Sequence, residues 1–237
     1  MNRAVWVIFA VAWPALAFGA GEEAVKPDKE GFVPLFNGKE LKEWQIKGDA
    51  AGFEVKDGII RSETGRNGQW MYYKKREFSD FVLRVEWRVS ERGNSGVFLR
   101  VPPEGAPWTT GYEAQISCEQ PRRDESHCTG ALYGYAAVDP RPDETAEKWR
   151  RYEVTCKGPL ISVKLDGRKV CELDQNTKEE TRAKPLKGFV GVQDSHGPEG
   201  TWIEYRSIRI RELAGSGEGE GAEQEGSAKE GEKTEGS

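Results

Sequence analysis

The chain has 237 residues, of which 36% are hydrophobic and 10% aromatic, and it contains 28 glycines. This length allows one large all-β domain, and the glycine and aromatic content is typical of many short strands joined by tight turns. Seven Glu and two Lys in residues 214–237 account for the whole net charge of −5, so the remaining chain is close to neutral. A neutral body gives no electrostatic reason to expect a nucleic-acid partner.

The first 20 residues have the pattern of an export signal. Arg3 provides a positive start, Ala4 to Ala17 form an apolar run, and small residues up to Gly19 suit a signal peptidase. The apolar run is too short to cross a membrane as a helix. The sequence therefore predicts a signal peptide at 1–20. The mature chain is expected in the periplasm, at the outer surface or in the medium, without an integral membrane segment.

Short strand-like runs then follow one another along the chain, separated by turn residues such as Asn37-Gly38, Asp57-Gly58 and Asp166-Gly167. No helical period of useful length interrupts them. The pattern predicts an all-β fold, a sandwich or jelly roll. The predicted strands are 53–55, 59–60, 69–73, 81–89, 95–101, 112–116, 131–138, 149–156, 160–165, 169–173, 189–193 and 201–211.

Residues 214–237 contain no aromatic or large aliphatic side chain. Such a segment cannot bury enough apolar surface to offset the entropy of ordering, so we expect it to be disordered. It is either a solubilising tail or a dispensable end of the chain.

All four cysteines lie in the part expected to be exported, where disulfides are permitted. Cys118 and Cys128 bracket the polar loop EQPRRDESH, and we predict a disulfide between them. The pairing of Cys156 and Cys171 stays open. The cysteine spacing does not resemble that of a zinc site.

The most informative stretch runs from Phe81 to Ile116. Residues 81–89 alternate strictly between apolar and charged, which is typical of a strand with one buried face, and Glu86 lies on the charged side. Later strands carry Arg100, Glu113 and Gln115, each opposite its hydrophobic neighbours. If these strands adjoin in one sheet, two carboxylates, an amide and a guanidinium converge on one surface.

Motifs in a fixed order resemble the DUF1080 family, also called the 3-keto-disaccharide hydrolase or 3-keto-glucoside lyase and hydratase domain. They are GFVPLFNGKELKEW, EWRVSERGNSGVFLR, GYEAQI, TGALYG, EKWRRYEV, LDGRKV, GFVGVQDSHG and IEYRSIRIREL. The resemblance covers about residues 31–213. It implies a concanavalin-like β-sandwich, exported by carbohydrate-degrading bacteria and acting on glycosides already oxidised at C3.

A ketone at C3 acidifies the hydrogen on C2, so a base can remove it, and the C1 aglycone leaves by elimination. Water then adds to the resulting enone. Such a site needs a base tuned near neutral pH, a group that stabilises the enolate oxygen and an acid for the leaving group. For proton transfer the matching residues are Glu113, Glu86 and His196, while Arg100 and Gln115 could stabilise the oxygen.

Three further residues are expected to contact the sugar: Gln193, from the glutamine-histidine motif, and two aromatic residues, Trp108 and Tyr133. His127 is a weaker candidate for the site. This chain departs from the family in the longer run from Gln193 to His196, and in Arg206-Ser207 where an asparagine usually follows the arginine.

The sequence does not call for a cofactor, but a divalent metal stays open. Asp124, Glu125 and Asp143 offer oxygen ligands without the spacing of a calcium loop. The alternative function is a non-catalytic carbohydrate-binding module on the same sandwich; the convergent acids favour chemistry. A retaining glycosidase of laminarinase type would need a Glu-x-Asp-x-x-Glu run, which the chain lacks.

Overall fold

The computed structural model describes residues 26–214. Within this range there are two four-residue helices, α1 (Pro107–Thr110) and α2 (Glu179–Arg182), and 3-10 turns at Ala50–Gly52 and Gln175–Thr177. The thirteen strands of the described range are β1 (Val33–Pro34), β2 (Trp44–Lys47), β3 (Glu54–Lys56), β4 (Ile59–Glu63), β5 (Trp70–Tyr73), β6 (Phe81–Val89), β7 (Asn94–Val101), β8 (Tyr112–Ser117), β9 (Arg150–Lys157), β10 (Leu160–Leu165), β11 (Arg168–Asp174), β12 (Phe189–Gln193) and β13 (Trp202–Glu212).

The strands form two sheets. The eight-stranded sheet has the order β11-β10-β9-β6-β13-β4-β3, with β1 beside β13, and the five-stranded sheet has the order β2-β5-β12-β7-β8. The pairings are antiparallel throughout. Consecutive strands β6 and β7 belong to different sheets, as do β12 and β13, so the chain crosses between the layers. The predicted β-sandwich is confirmed.

The core lies between the two sheets. On β6 the predicted alternation is present: Leu83, Val85 and Trp87 are buried, whereas the charged residues between them are partly exposed. The five-stranded sheet contributes Leu99 and Ile116, among others, to the same hydrophobic cluster. Each such buried side chain stabilises the fold by about 2 kcal/mol relative to an exposed position.

Arg100 does not lie on the polar face where we expected it. Its backbone φ of +52° and a register shift of β7 against β12 mark a bulge, which reverses the alternation of side chains. The guanidinium is fully buried and donates to the carbonyl oxygens of Ser79 (2.9 Å) and Gly158 (2.7 Å). It also lies 3.3 Å from Asp80 Oδ1. Arg100 therefore ties loops together inside the sandwich, and its predicted contact with a substrate is wrong.

Residues 131–138 do not form the strand that we predicted. Leu132 makes isolated bridges to Ala114 and Ala136, and the chain then turns at Gly134, which has a φ of +72°. Such a conformation favours glycine and ends the extended run. Even so, the Tyr133 amide donates to the Glu113 carbonyl oxygen (2.9 Å), so this segment extends the β8 edge of the five-stranded sheet.

The predicted disulfide between Cys118 and Cys128 is not present, because both are free thiols. Cys118 Sγ donates to the Glu144 carbonyl oxygen (3.1 Å), whereas Cys128 Sγ points to that of Glu125 (3.7 Å). The two sulfur atoms thus face different loop segments. Burial raises the pKa of the Cys128 thiol to about 11.

The expected signal peptide at 1–20, and the tail beyond residue 214, lie outside the described residues. Between residues 26 and 214, no helix is both long and apolar enough to cross a bilayer.

Candidate functional site

The candidate site lies on the outer face of the five-stranded sheet, by which we mean the side turned away from the eight-stranded sheet. On this face Trp70, Tyr72, Phe98 and Phe189 pack together, separately from the main core. Strand pairing places Tyr72, Gly191, Phe98 and Glu113 in one row across four strands. The row joins an aromatic surface to a carboxylic acid.

A second row runs beside the first. Gln193 pairs with Trp70, and Gly96 pairs with Gln115. The register of β12 on β7, with Val192 opposite Val97, continues to place Gln193 next to Gly96. Two amide side chains therefore flank a glycine on the outer face.

Glu113 fills the space above that glycine. A Cβ built on Gly96 would lie only 2.0 Å from Glu113 Oε1, so the carboxyl rests directly on the bare backbone. Glu113 is 3% exposed. The amide of Gln115 is assigned with its nitrogen facing this oxygen (3.0 Å) and the Ser95 carbonyl oxygen (3.0 Å). The carboxyl is therefore fixed between β7 and β8.

Burial raises the pKa of Glu113 from 4.5 to about 8, and the nearby positive charge of Arg123 opposes part of that rise. Removing a carboxylate from water disfavours its charged form, which is the usual cause of such a shift. A carboxyl group with a pKa near neutrality can accept or release a proton under physiological conditions. Among the residues that we expected at the site, Glu113 thus has the properties of a proton-transfer group.

A charged network borders Glu113 on the side of the 117–133 loop. Arg123 donates to both carboxylate oxygens of Glu119, through Nε and through Nη2 (3.1 Å). Glu119 also accepts from Asn94 Nδ2 (3.0 Å) and Ser117 Oγ (3.1 Å). This pairing and these hydrogen bonds hold the Arg123 charge next to the site.

His196 lies at the end of β12, where its backbone amide donates to the Asn94 carbonyl oxygen (2.8 Å). Its imidazole is 63% exposed, and Nδ1 is 3.5 Å from Asp194 Oδ1. The interaction with Asp194 raises the pKa of His196, against the opposing effect of burial. The imidazole of His196 therefore borders the outer face next to Asn94.

A buried oxygen atom at this end, Gln193 Oε1, is without a hydrogen-bond partner among the described residues, and Gln193 is 7% exposed. Asp194 beside it is 5% exposed, and its Oδ1 faces His196 Nδ1 at 3.5 Å. The second Asp194 oxygen accepts from the Gln69 amide (2.9 Å), which fixes the carboxylate. A buried acceptor of this kind is normally satisfied, so Gln193 Oε1 has room for one further hydrogen bond.

Glu86 lies elsewhere, on β6 of the other sheet, and it does not join Glu113. It accepts from Arg206 Nε (2.6 Å) and borders an open cavity of about 230 Å³. Alternation along β6 places it correctly on an outward face, but that face belongs to the opposite side of the sandwich. The predicted convergence of the two acids on one surface is therefore wrong.

The other expected contacts differ in their positions. Tyr133 is the neighbour of Glu113 across the sheet edge, through its backbone hydrogen bond. Trp108 is 39% exposed. It lies on α1, which precedes the first residue of β8, Tyr112, whereas the 117–133 loop leaves the other end of that strand. In residues 26–214, no group of three His, Cys, Asp or Glu side chains is arranged to hold a metal ion.

Sequence reasoning missed the roles of Asn94, Gly96, Glu119 and Arg123. The predicted strand 95–101 contained Gly96, and β7 begins one residue earlier, at Asn94. Counting back by twos from Phe98 would have placed Gly96 and Asn94 on the outer face. For Glu119 and Arg123, in a loop, the sequence offers no periodic signal.

The sequence profile of the 3-keto-alpha-glucoside-1,2-lyase-like domain matches residues 31–211. A 3-keto-disaccharide hydrolase of Bacteroides thetaiotaomicron is 30% identical, and the alignment covers 78% of this chain and 80% of that protein. These similarities indicate a hydrolase-like function on carbohydrate.

Solved structures agree on the fold. A candidate glycosyl hydrolase of Parabacteroides distasonis superposes with a TM-score of 0.67 at 24% identity, covering 77% of this chain and 99% of that one. A Bacillus subtilis protein of unknown function with a galectin-like fold gives a TM-score of 0.52 at 14% identity, with 78% and 96% covered. The fold is therefore a galectin-like β-sandwich. The profile match spans most of the chain, and the chain belongs to the 3-keto-alpha-glucoside-1,2-lyase-like domain family.

Proposed function

We propose that this protein cleaves 3-keto-glycosides, with Glu113 as the base that removes the C2 hydrogen. The observation that carries the proposal is the buried carboxyl of Glu113, held over Gly96 with a pKa of about 8. A base whose pKa lies near the working pH keeps a useful fraction of carboxylate while being more basic than an ordinary glutamate. Family membership supplies the substrate class.

The reaction begins when the Glu113 carboxylate takes the C2 hydrogen and the electron pair forms an enolate with the C3 ketone. The pair then moves into a C1–C2 double bond as the C1–oxygen bond breaks. Addition of water to the resulting 2-hydroxy-3-keto-glucal completes a net hydrolysis. Lyase and hydratase steps can therefore follow one another in the same site.

Side chains around Glu113 provide contacts for the rest of the sugar. The unpartnered Gln193 Oε1 would accept a hydrogen bond from a hydroxyl group. The His196 imidazole, whose pKa is raised by Asp194, would stabilise negative charge on the enolate oxygen. Gln115 would instead act on Glu113, by holding its carboxyl in place.

We also propose that the protein works outside the cytoplasm, as the export signal in residues 1–20 predicts. The substrate would then be an extracellular or periplasmic sugar that another enzyme has oxidised at C3. Cell fractionation with N-terminal sequencing of the mature chain tests the location; an uncleaved cytoplasmic protein contradicts it.

Aglycone release provides the test of function. The purified protein should release the alcohol from a 3-keto-glucoside and leave the parent glucoside intact. Parallel reactions with a chelator show whether a divalent metal contributes. If both glycosides stay intact while the 3-keto sugar still binds, the protein is a carbohydrate-binding module and the proposed chemistry is wrong.

A further inference from the structure

Tyr133 continues the row that contains Glu113. Its amide donates to the Glu113 carbonyl oxygen (2.9 Å), and the preceding residue, Leu132, bridges to Ala114 and is buried in the main core. The Tyr133 hydroxyl accepts from Arg123, whose charge acts on Glu113, so the phenol lies near the Glu113 carboxyl. The Tyr133 side chain is partly exposed, as a residue that contacts a substrate requires.

The phenol of Tyr133 is held by two neighbours. Arg123 Nη1 donates to the hydroxyl oxygen at 3.3 Å. His127 packs edge-on against the ring, with a centroid separation of 4.8 Å and an interplanar angle of 83°. The His127 ring is in turn fixed by Asp124, whose Oδ1 lies 2.9 Å from Nδ1. The orientation of the phenol is therefore determined before any substrate binds.

Arg123 is a fixed cation at this position. Its hydrogen bonds to Glu119 raise the pKa of its guanidinium, so it keeps its charge and does not take part in proton transfer. A guanidinium that donates to a phenolic oxygen stabilises the phenolate that forms when the phenol gives up its proton. The pair therefore has the composition of a proton donor with a built-in counter-charge.

We propose that Tyr133 is the general acid that protonates the departing aglycone oxygen, with Arg123 as its positioning residue. The inference rests on the proposed function and divides the proton transfers between Glu113 and Tyr133. Of the polar side chains beside Glu113, the amide of Gln115 and the guanidinium of Arg123 do not release protons at neutral pH. The Tyr133 hydroxyl carries a proton that it can donate, and Tyr133 is a direct neighbour of the base across the sheet edge.

The step balances as follows. The C2–H bond breaks and its proton goes to the Glu113 carboxylate, while the electron pair becomes the C1–C2 double bond through the enolate. The C1–oxygen bond breaks with its electrons on the aglycone oxygen, which takes the proton of Tyr133. The products are the 2-hydroxy-3-keto-glucal, a neutral alcohol, protonated Glu113 and tyrosinate. Transfer of one proton from Glu113 to Tyr133 through solvent restores the starting state.

The test compares leaving groups in Tyr133→Phe. Methoxide is a poor leaving group, so it needs a proton to leave as methanol, whereas 4-nitrophenolate leaves without one. The variant should cleave methyl 3-keto-glucoside at least ~100-fold more slowly in kcat/KM, and 4-nitrophenyl 3-keto-glucoside within ~5-fold of wild type. Tyr135→Phe, two residues away and packed against Tyr112, serves as the matched control and should cleave both at the wild-type rate.

If Tyr133→Phe folds poorly, Arg123→Gln provides a second variant. It should also lose more activity on the methyl than on the 4-nitrophenyl substrate, with a smaller difference between the two. Equal loss on both substrates in folded Tyr133→Phe overturns the inference. The inference is also overturned if His196→Asn, and not Tyr133→Phe, shows the selective loss on methyl 3-keto-glucoside. That result would make His196 the acid. If the wild-type protein releases neither alcohol, the proposed function itself has failed, which is a different result from a wild-type enzyme with an insensitive Tyr133→Phe.

Discussion

The carboxyl group of Glu113 occupies the space that a side chain at Gly96 would need, since a Cβ there would lie 2.0 Å from Oε1. The two residues are on neighbouring strands, β7 and β8, of the five-stranded sheet. The role of this glycine is therefore to leave space for the Glu113 carboxyl, and not to bend the chain. Glu113 gains its burial, and with it a pKa of about 8, from this position.

Gly96→Ala should displace the Glu113 carboxyl. The added methyl group would overlap the carboxyl, so we expect a loss of about 2 kcal/mol in the free energy of unfolding. We also expect at least a ~100-fold loss in kcat/KM, because the base leaves its productive position. Urea denaturation and steady-state kinetics measure the two effects.

A double-mutant cycle isolates the cause. In a Glu113→Ala background the carboxyl is absent, so Gly96→Ala should become nearly neutral for stability. An equal penalty in both backgrounds would show that the methyl group clashes with something other than Glu113.

Glu113→Gln should change how stability depends on pH. Between pH 4.5 and 8 the folded wild-type chain keeps a proton on Glu113 that the unfolded chain has released, so wild-type stability falls as pH rises through this window. The variant lacks this loss, and its stability relative to wild type should increase by about 2 to 5 kcal/mol from pH 4.5 to 9. Denaturation of both proteins at several pH values tests this; a constant difference contradicts the raised pKa.

Arg123→Gln should move the pH dependence of activity upward. The Arg123 charge lowers the pKa of Glu113, so its removal lets that pKa rise and leaves less carboxylate at neutral pH. The rising limb of kcat/KM should shift to higher pH. Arg122→Gln is the control, because Arg122 is 51% exposed and pairs with Glu144. If the rising limbs of the kcat/KM profiles of Arg123→Gln and Arg122→Gln coincide, the Arg123 charge does not influence the pKa of Glu113.

Arg100→Ala should damage the fold rather than substrate binding. It would leave the Ser79 and Gly158 carbonyl oxygens and Asp80 without their buried cation. We expect a loss of about 3 kcal/mol in the free energy of unfolding, with an unchanged KM in the folded fraction. Arg206→Ala, at a 45% exposed side chain, should cost less than ~1 kcal/mol. A raised KM with wild-type stability would restore Arg100 to the substrate site.

Glu86→Gln should leave activity almost unchanged, because Glu86 lies on the eight-stranded sheet. The exposed pair with Arg206 contributes little, so we expect kcat/KM within about twofold of wild type and a stability change below ~1 kcal/mol. A loss of activity comparable to that of Glu113→Gln would contradict the separation of the two acids.

Alternation in the sequence correctly gave the buried and exposed sides of β6, and with it the sandwich. It assigns a side chain to a face of its own strand but does not say which sheet the strand joins. Glu86 and Glu113 were therefore predicted together, although β6 and β8 lie in different layers. Alternation also fails at a bulge, which is why Arg100 points inward.

The relationship between Gly96 and Glu113 could not be predicted without the pairing register. From sequence alone, a glycine in a strand indicates a weakened strand or a turn. Only the neighbouring strand shows which side chain packs over it. The Arg123–Glu119 pair is formed within a loop, where the sequence has no period to follow. The resemblance to a family supplied the substrate class. The structure brought Glu113, Gln115 and Gln193 onto one face, with Tyr133 hydrogen-bonded to Glu113 at the sheet edge.

The most direct test of Glu113 as the C2 base separates proton removal from bond cleavage. A 3-keto sugar without a leaving group, 1,5-anhydro-3-keto-glucitol, is incubated in D₂O with wild-type protein and with Glu113→Gln, and deuterium is followed by NMR at C2 and at C4. Wild type should accelerate exchange at C2 over C4, and Glu113→Gln should reduce it to the rate in buffer alone. Enzyme-catalysed C2 exchange that persists in folded Glu113→Gln, or its absence in wild type with the sugar bound, would contradict this role.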